Sequence, residues 1–253
     1  MNCTVRIDEP AVGSANMQAD LDLHALVGSG SLAAGIRFYT WDPWCVSLGK
    51  HQTTENLNKE ALNHLGLDLV QRPTGGRAVL HAEEVTYCIC IAMPDATRAQ
   101  QIYASIHDML YFVLHQMASA LSHASVSTDF REHYSSQQAI GQACFTSHAK
   151  SEILLGTKKV VGSAQRVFDG VLLQHGSILC GAGHEQLAQV ISHSPHEADR
   201  ITSLLMRSSA TMSEAAGHSV SKNDVLSVFD QNSSFILERM HVIASQAARG
   251  EAR

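Results

Sequence analysis

The stretch SEILLGTKKVVGSAQRVFDGVLLQHGSILCG, residues 151–181, decides the fold class. It holds three runs of strand-forming residues, broken at Gly156-Thr157 and at Asp169-Gly170, and Asp-Gly is a strong signal for a two-residue hairpin turn. An antiparallel meander is the expected result. Side chains alternate across a strand, so only one of the neighbours Lys158 and Lys159 can point inward. Helical patterns elsewhere are grouped around strands rather than alternating with them regularly, which predicts an α+β fold.

Working upstream, apolar residues recur three and four apart from about residue 97 to 123, predicting one long helix laid on the sheet. Residues 71–90 read QRPTGGRAVLHAEEVTYCIC. The runs 68–72 and 78–93 are strand-like, and the PTGG between them predicts a hairpin with a bare-backbone tip. Cys88 and Cys90 share a face of the second run and are assigned to packing. The runs 36–41 and 45–49, split by Asp42-Pro43, are expected to pair or lie side by side. Residues 14–28 predict an amphipathic helix capped by Ser14 and stopped by Gly28, and residues 53–66 a second helix closed by Gly66. From about residue 184 the chain turns polar and helical, with a capping box at Ser221–Asp224. The last residues are expected to fray. Residues 1–253 are read as a single catalytic domain.

With 253 residues, 45% of them hydrophobic, the chain can bury a sizeable core. No run reaches the roughly 18–20 apolar residues of a membrane span, and the start lacks the basic-then-apolar pattern of a secretory signal, so no membrane association and a cytoplasmic location are expected. The six cysteines are scattered and read as reduced thiols. A formal net charge of −6 argues against nucleic acid as a partner.

Two glycine-punctuated segments carry the chemistry: RPTGGRAVLH (72–81) and GTKKVVGSAQ (156–165). Each sets backbone N–H groups beside cations, Arg72 and Arg77 in one, Lys158 and Lys159 in the other. That suits a carboxylate, a phosphate or a developing oxyanion. On spacing alone the glycines could equally do no more than make turns, with the cations facing water; neither string fits a phosphate-binding fingerprint.

RPTGGRAVLH, KKVVGSAQ and GVLLQHGSIL, in this order, closely resemble the lipoate/biotin protein ligase and octanoyltransferase superfamily. Weaker agreement at Asn16-Met17 and at WDPWCVSLGKHQ (41–52) extends the match over about residues 14–180. The resemblance implies a catalytic domain like that of class II aminoacyl-tRNA synthetases and biotin protein ligases, a mixed, mostly antiparallel sheet flanked by helices, with a tunnel for a medium-chain acyl group. Arg77 stands where ATP-dependent ligases usually have a third glycine, and QACFTS (142–147) resembles the segment carrying the catalytic cysteine of the Gram-positive type octanoyl-[acyl carrier protein]:protein N-octanoyltransferases. The resemblance thus implies Cys144 as nucleophile and Lys159 as the cation beside it. Arg72, Gly75, Gly76, Arg77, His81, Gly162 and Ser163 are implied to bind substrate. Two departures stand out: a Pro-Ser and a Tyr-Glu pair usual after the cysteine are reduced here to Glu152, and the acidic residue usual just after the loop histidine is displaced to Glu83 and Glu84.

A thiolate can exchange with an acyl thioester without ATP, and a nearby ammonium raises the thiolate fraction. The activity implied is transfer of an octanoyl or lipoyl group from acyl carrier protein to a lysine of a lipoyl domain, in 2-oxoacid dehydrogenases or the glycine cleavage H protein, with no cofactor. The alternatives are an ATP- and Mg-dependent lipoate ligase lacking its accessory domain, a lipoyl-domain amidotransferase, and a non-enzymatic acyl-binding module. His175 fits either a site residue or a hydrogen-bonded core histidine. The 15 histidines form no zinc signature, and no metal is expected.

Overall fold

A computed structural model describes residues 1–124 and 152–249. The meander is present as β8 (Glu152–Leu155), β9 (Lys158–Phe168) and β10 (Val171–Leu179). Asp169 (φ 49°) and Gly170 (φ 72°) both take the left-handed conformation that a primed two-residue hairpin requires. These strands lie in a seven-stranded sheet completed by β1 (Cys3–Ile7), β2 (Ala34–Tyr39), β6 (Glu84–Ala92) and β7 (Leu121–Ala124), in the order β1-β2-β6-β10-β9-β8-β7. Only β1 and β2 run parallel. A second sheet holds β3 (Cys45–Leu48), β4 (Asp68–Gln71) and β5 (Val79–His81) in the order β4-β3-β5.

Both faces of the large sheet are covered. On one face Phe38, Tyr87 and Ile89 pack against α3 (Ala99–His115), α7 (Lys222–Gln231) and α8 (Ser233–Ala248) through Ile106, Leu110, Phe229 and Met240. On the other, Cys88, Cys90 and Leu173 meet α1 (Gly13–Gly28) through Met17, Leu23 and Val27. Cys88 and Cys90 are completely buried there, as packing residues. The small sheet buries Val46 and Leu80 against α4 (Leu187–Ile191) and α5 (Pro195–Ser208), while α2 (Lys59–His64) and α6 (Met212–Ala216) are single short helices.

Several local expectations give way to tertiary contacts. β2 and β3 do not pair; the turn at 42–44 carries the chain from one sheet to the other. Nor do β4 and β5 form a hairpin. They flank β3 on opposite edges, β4 parallel and β5 antiparallel to it, so the glycine loop 72–78 crosses over the end of β3. The predicted strand 78–93 is likewise split between the two sheets, because Ala82-Glu83 turns the chain. The long helix ends at His115, and Leu121–Ala124 pair with β8 instead. Ser14 is not the cap of α1: its first turn is satisfied from outside, by Asp68 Oδ2 accepting from the Gly13 N–H at 2.8 Å. α2 starts only at Lys59, capped by Asn58. The capping box at Ser221 and Asp224 is present. The C-terminal helix does not fray before Ala248; Ala244 and Ala247 are buried and His241 Nε2 lies 2.9 Å from the Met1 carbonyl. Among the described residues no helix is long and apolar enough to cross a membrane.

Candidate active site

The crossing glycine loop is built around one cation. Arg72 is 4% exposed, and its guanidinium turns inward. It donates to the carbonyls of Gly75 (2.9 Å), Arg77 (2.6 Å) and Ser47 (3.0 Å), and to Ser47 Oγ (3.1 Å). A planar fork of five donors can hold several loop carbonyls at once, which an ammonium cannot. The loop closes on itself at Gly76 (φ 90°), whose carbonyl lies against Gly49, where a Cβ would collide with it. From β9, Arg166 donates to the Pro73 carbonyl at 3.0 Å.

Two histidines tie the loop to its surroundings. His175 on β10 accepts a hydrogen bond at Nε2 from Thr74 Oγ1 and meets Asp20 Oδ2 through Nδ1 at 3.3 Å. Asp20 also takes Arg37 Nη1 at 2.6 Å and the Tyr39 hydroxyl at 3.1 Å, a completely buried carboxylate with its charge matched. Burial lowers the proton affinity of His175, and the neighbouring Asp20 offsets this only in part. His81 on β5 stacks on Trp41 (ring centres 4.1 Å apart), with Nδ1 2.7 Å from Glu84 Oε1 and Nε2 2.8 Å from Ser47 Oγ. Thr86 Oγ1 donates to the same Glu84 oxygen at 2.8 Å and receives the Trp41 indole N–H at 2.7 Å.

These groups wall an open cavity whose empty space is about 360 Å³, solvent at its mouth included. Its apolar side is Met17, Tyr39 and Trp41; Ser47, Arg72, His81 and His175 supply convergent polar atoms. The remaining wall is the paired strands β9 and β10, where Gly162 lies opposite Ser177, Ser163 opposite Gly176 and Ala164 opposite His175. Small side chains on both strands keep this part of the sheet open. Apolar walls with a few placed polar groups are the usual form of a small-molecule site.

Of the residues named from sequence, Arg72, His81, Gly162 and Ser163 line this cavity, while Gly75, Gly76 and Arg77 form the loop that Arg72 holds. Lys159 is 4% exposed and points inward, three residues before Gly162 on β9, with Nζ 2.6 Å from Glu152 Oε1; it is not among the residues lining the cavity. Lys158 faces the other way and is half-buried. Cys144 lies outside the described residues. The sequence reading missed Ser47, Thr74, Glu84, Asp20 and Trp41; the displaced Glu84 was visible as a departure, and the others are single polar or aromatic residues that only pairing across two sheets brings together.

Cys45, Cys88, Cys90 and Cys180 are buried. Burial pushes the thiols of Cys45 and Cys88 well up and that of Cys180 up to about 12. Cys3 is half-buried at the sheet edge, and desolvation raises its thiol too. Among the described residues no three His, Cys, Asp or Glu side chains are grouped to hold a metal ion.

Residues 13–232 match the family model described as the lipoyl protein ligase A/B catalytic domain. The chain is 36% identical over 182 residues to octanoyltransferase LipM of Clostridioides difficile, covering 71% of this chain and 66%, just under two thirds, of that protein. It is 33% identical over 238 residues to octanoyltransferase LipM of Brevibacillus brevis, covering 90% and 83%. A lipoate protein ligase from Thermoplasma acidophilum, solved in a study of an archaeal lipoylation system, superposes with a TM-score of 0.69 at 16% identity, covering 97% of this chain and 91% of that one. Lipoate-protein ligase A bound with ATP superposes with a TM-score of 0.62 at 17% identity, covering 99% and 98%. These structural likenesses speak to the fold.

Proposed function

The chain belongs to the lipoyl protein ligase A/B catalytic domain family, and from that premise we propose that it is an octanoyltransferase of protein lipoylation. The observation that carries this reading is the similarity to octanoyltransferases over most of the chain. The substrates proposed with it are an octanoyl thioester on acyl carrier protein as donor and a lysine amine of a lipoyl domain as acceptor. The apolar wall of Met17, Tyr39 and Trp41 suits the alkyl chain, and the loop held by Arg72 sets backbone groups at the cavity edge.

In this mechanism Cys144 attacks the thioester, the carrier thiolate leaves, and the resulting acyl-cysteine is taken by the acceptor amine. The other thiols are poor competitors, since a nucleophilic cysteine needs an accessible thiolate and these are buried or raised in pKa. Glu152 follows Cys144 by eight residues and holds Lys159, which puts the ammonium near the strand that leaves the cysteine segment. We assign Lys159 to stabilising the thiolate and the oxyanion.

Incubation with octanoyl carrier protein should add one octanoyl mass to the protein, and Cys144→Ser should abolish both the adduct and transfer to a lipoyl domain. Full transfer by Cys144→Ser would remove the cysteine from the mechanism. Activity with free lipoate and ATP but none with the octanoyl thioester would make the chain a ligase instead.

A further inference from the structure

Ser47, His81 and Glu84 form a hydrogen-bonded row at the cavity wall that the transferase reading leaves without a task. Its proton positions follow from donor and acceptor inventory. Arg72 can only donate, so Ser47 Oγ accepts from it (3.1 Å) and keeps its proton and a second lone pair for His81 Nε2 (2.8 Å). A carboxylate can only accept, so Nδ1 carries the proton donated to Glu84 Oε1 (2.7 Å), and in the neutral ring Nε2 has the lone pair that takes the serine proton. Thr86 holds that carboxylate and Trp41 the ring face, which fixes the tautomer and the ring orientation. Glu84 is completely buried; its Oε1 meets the imidazole and Thr86, and among the described residues its Oε2 has no hydrogen-bond partner. Among the described residues, the other charged or titratable groups facing this row are Arg72, through Ser47, His175 on β10, and Cys45, Cys180 and His184 around Glu84.

The geometry points to His81 as the proton acceptor for the acceptor amine, working through the Ser47 hydroxyl and held by Glu84. The inference rests on the transferase reading and supplies what its second half-reaction requires. A lysine side chain arrives as an ammonium, which has no lone pair. One proton passes to Ser47 Oγ as the serine proton passes to His81 Nε2, giving an imidazolium paired with Glu84. The freed lone pair forms the N–C bond while the C–S bond of the acyl-enzyme breaks. The thiolate takes the second nitrogen proton, and His81 returns the first to solvent. The row does not serve equally well as a nucleophile: Ser47 sits mid-strand between β4 and β5, with its own backbone engaged in ladders on both edges rather than at a turn that would offer its N–H to an oxyanion.

The half-reactions separate this role from a structural one. In His81→Gln, Ser47→Ala and Glu84→Gln, octanoyl passage from the adduct to a lipoyl domain should slow by about 10²-fold or more beyond any change in adduct formation from octanoyl carrier protein, the usual worth of a general base. The adduct should accumulate. Hydroxylamine, already unprotonated at neutral pH, should accept octanoyl from the His81→Gln adduct nearly as fast as from the parent. Equal loss in both half-reactions, no loss in the second, or the same deficit with hydroxylamine would each overturn the assignment. Thioester hydrolysis surviving in Cys144→Ser and lost in Ser47→Ala would make the row a nucleophile and overturn it as well. Absence of any adduct on the parent protein is a different signature: it removes the transferase reading and this inference with it.

Discussion

Single charges are deployed here where burial makes them expensive to lose. Lys159 and Glu152 meet at 2.6 Å with both side chains almost fully out of water. Removing one partner of a buried pair costs typically about 3–5 kcal/mol, while removing both costs much less. Lys159→Ala should therefore lower the urea midpoint sharply, and Lys159→Ala/Glu152→Ala should recover much of it. The consequence for function is practical, because an inactive Lys159→Ala preparation implicates the ammonium in chemistry only if the protein is still folded. Equal stability of the single and double variants would show that the pair is not a structural unit. Arg72 illustrates the same economy: predicted as a cation for substrate, it spends its donors on the Ser47, Gly75 and Arg77 carbonyls and so shapes the loop rather than meeting solvent.

Among the elements, the crossing loop takes its shape from a contact far away in sequence. Gly49, just after β3, touches the Gly75–Gly76 backbone so closely that any Cβ would displace it. Backbone cannot rotate aside as a side chain can, so Gly49→Ala should cost about 1–3 kcal/mol and push the loop off the end of β3. Transfer activity should fall by more than the modest loss in melting temperature accounts for, because the Thr74 contact with His175 goes with the loop. Wild-type turnover in Gly49→Ala would disprove the contact's importance. The meander β8–β10 was legible because its information is local: Asp169 and Gly170 set the turn, and alternation lets only one of Lys158 and Lys159 point inward. The loop was misread as a hairpin tip for the opposite reason. Glycines signal a change of direction, but whether the next strand pairs with the last or passes over a third is decided by partners not adjacent in the chain.

At the level of the whole molecule, several histidines are buried as neutral groups. His107 is held down to about 4 by burial, with its Nε2 3.1 Å from Ser163 Oγ, and burial also lowers His175 and His184. An unfolded histidine titrates near 6.5, so below that pH the unfolded chain binds protons that the folded chain refuses. Stability is thus fully present above about pH 6.5 and declines as the pH falls, for His107 down to about 4. Urea midpoints should drop between pH 7.5 and 5, before ordinary carboxylates titrate, and His107→Gln should flatten part of that slope. A midpoint constant over this range would contradict the neutral assignment.

The sequence by itself determined the α+β class, the three-strand meander, that only one of two neighbouring lysines points inward, the packing role of Cys88 and Cys90 and the family, because periodicity, turn chemistry and motif order are all written in neighbouring residues. Only the tertiary structure decided that β3, β4 and β5 form a separate sheet and that Asp68 caps α1. It also decided that Ser47, His81 and Glu84 share one cavity wall with Arg72 and His175. The physical reason is range: hydrogen bonds and ion pairs between residues far apart in the chain, such as Asp20 and His175 at 155 positions, leave no trace in local pattern.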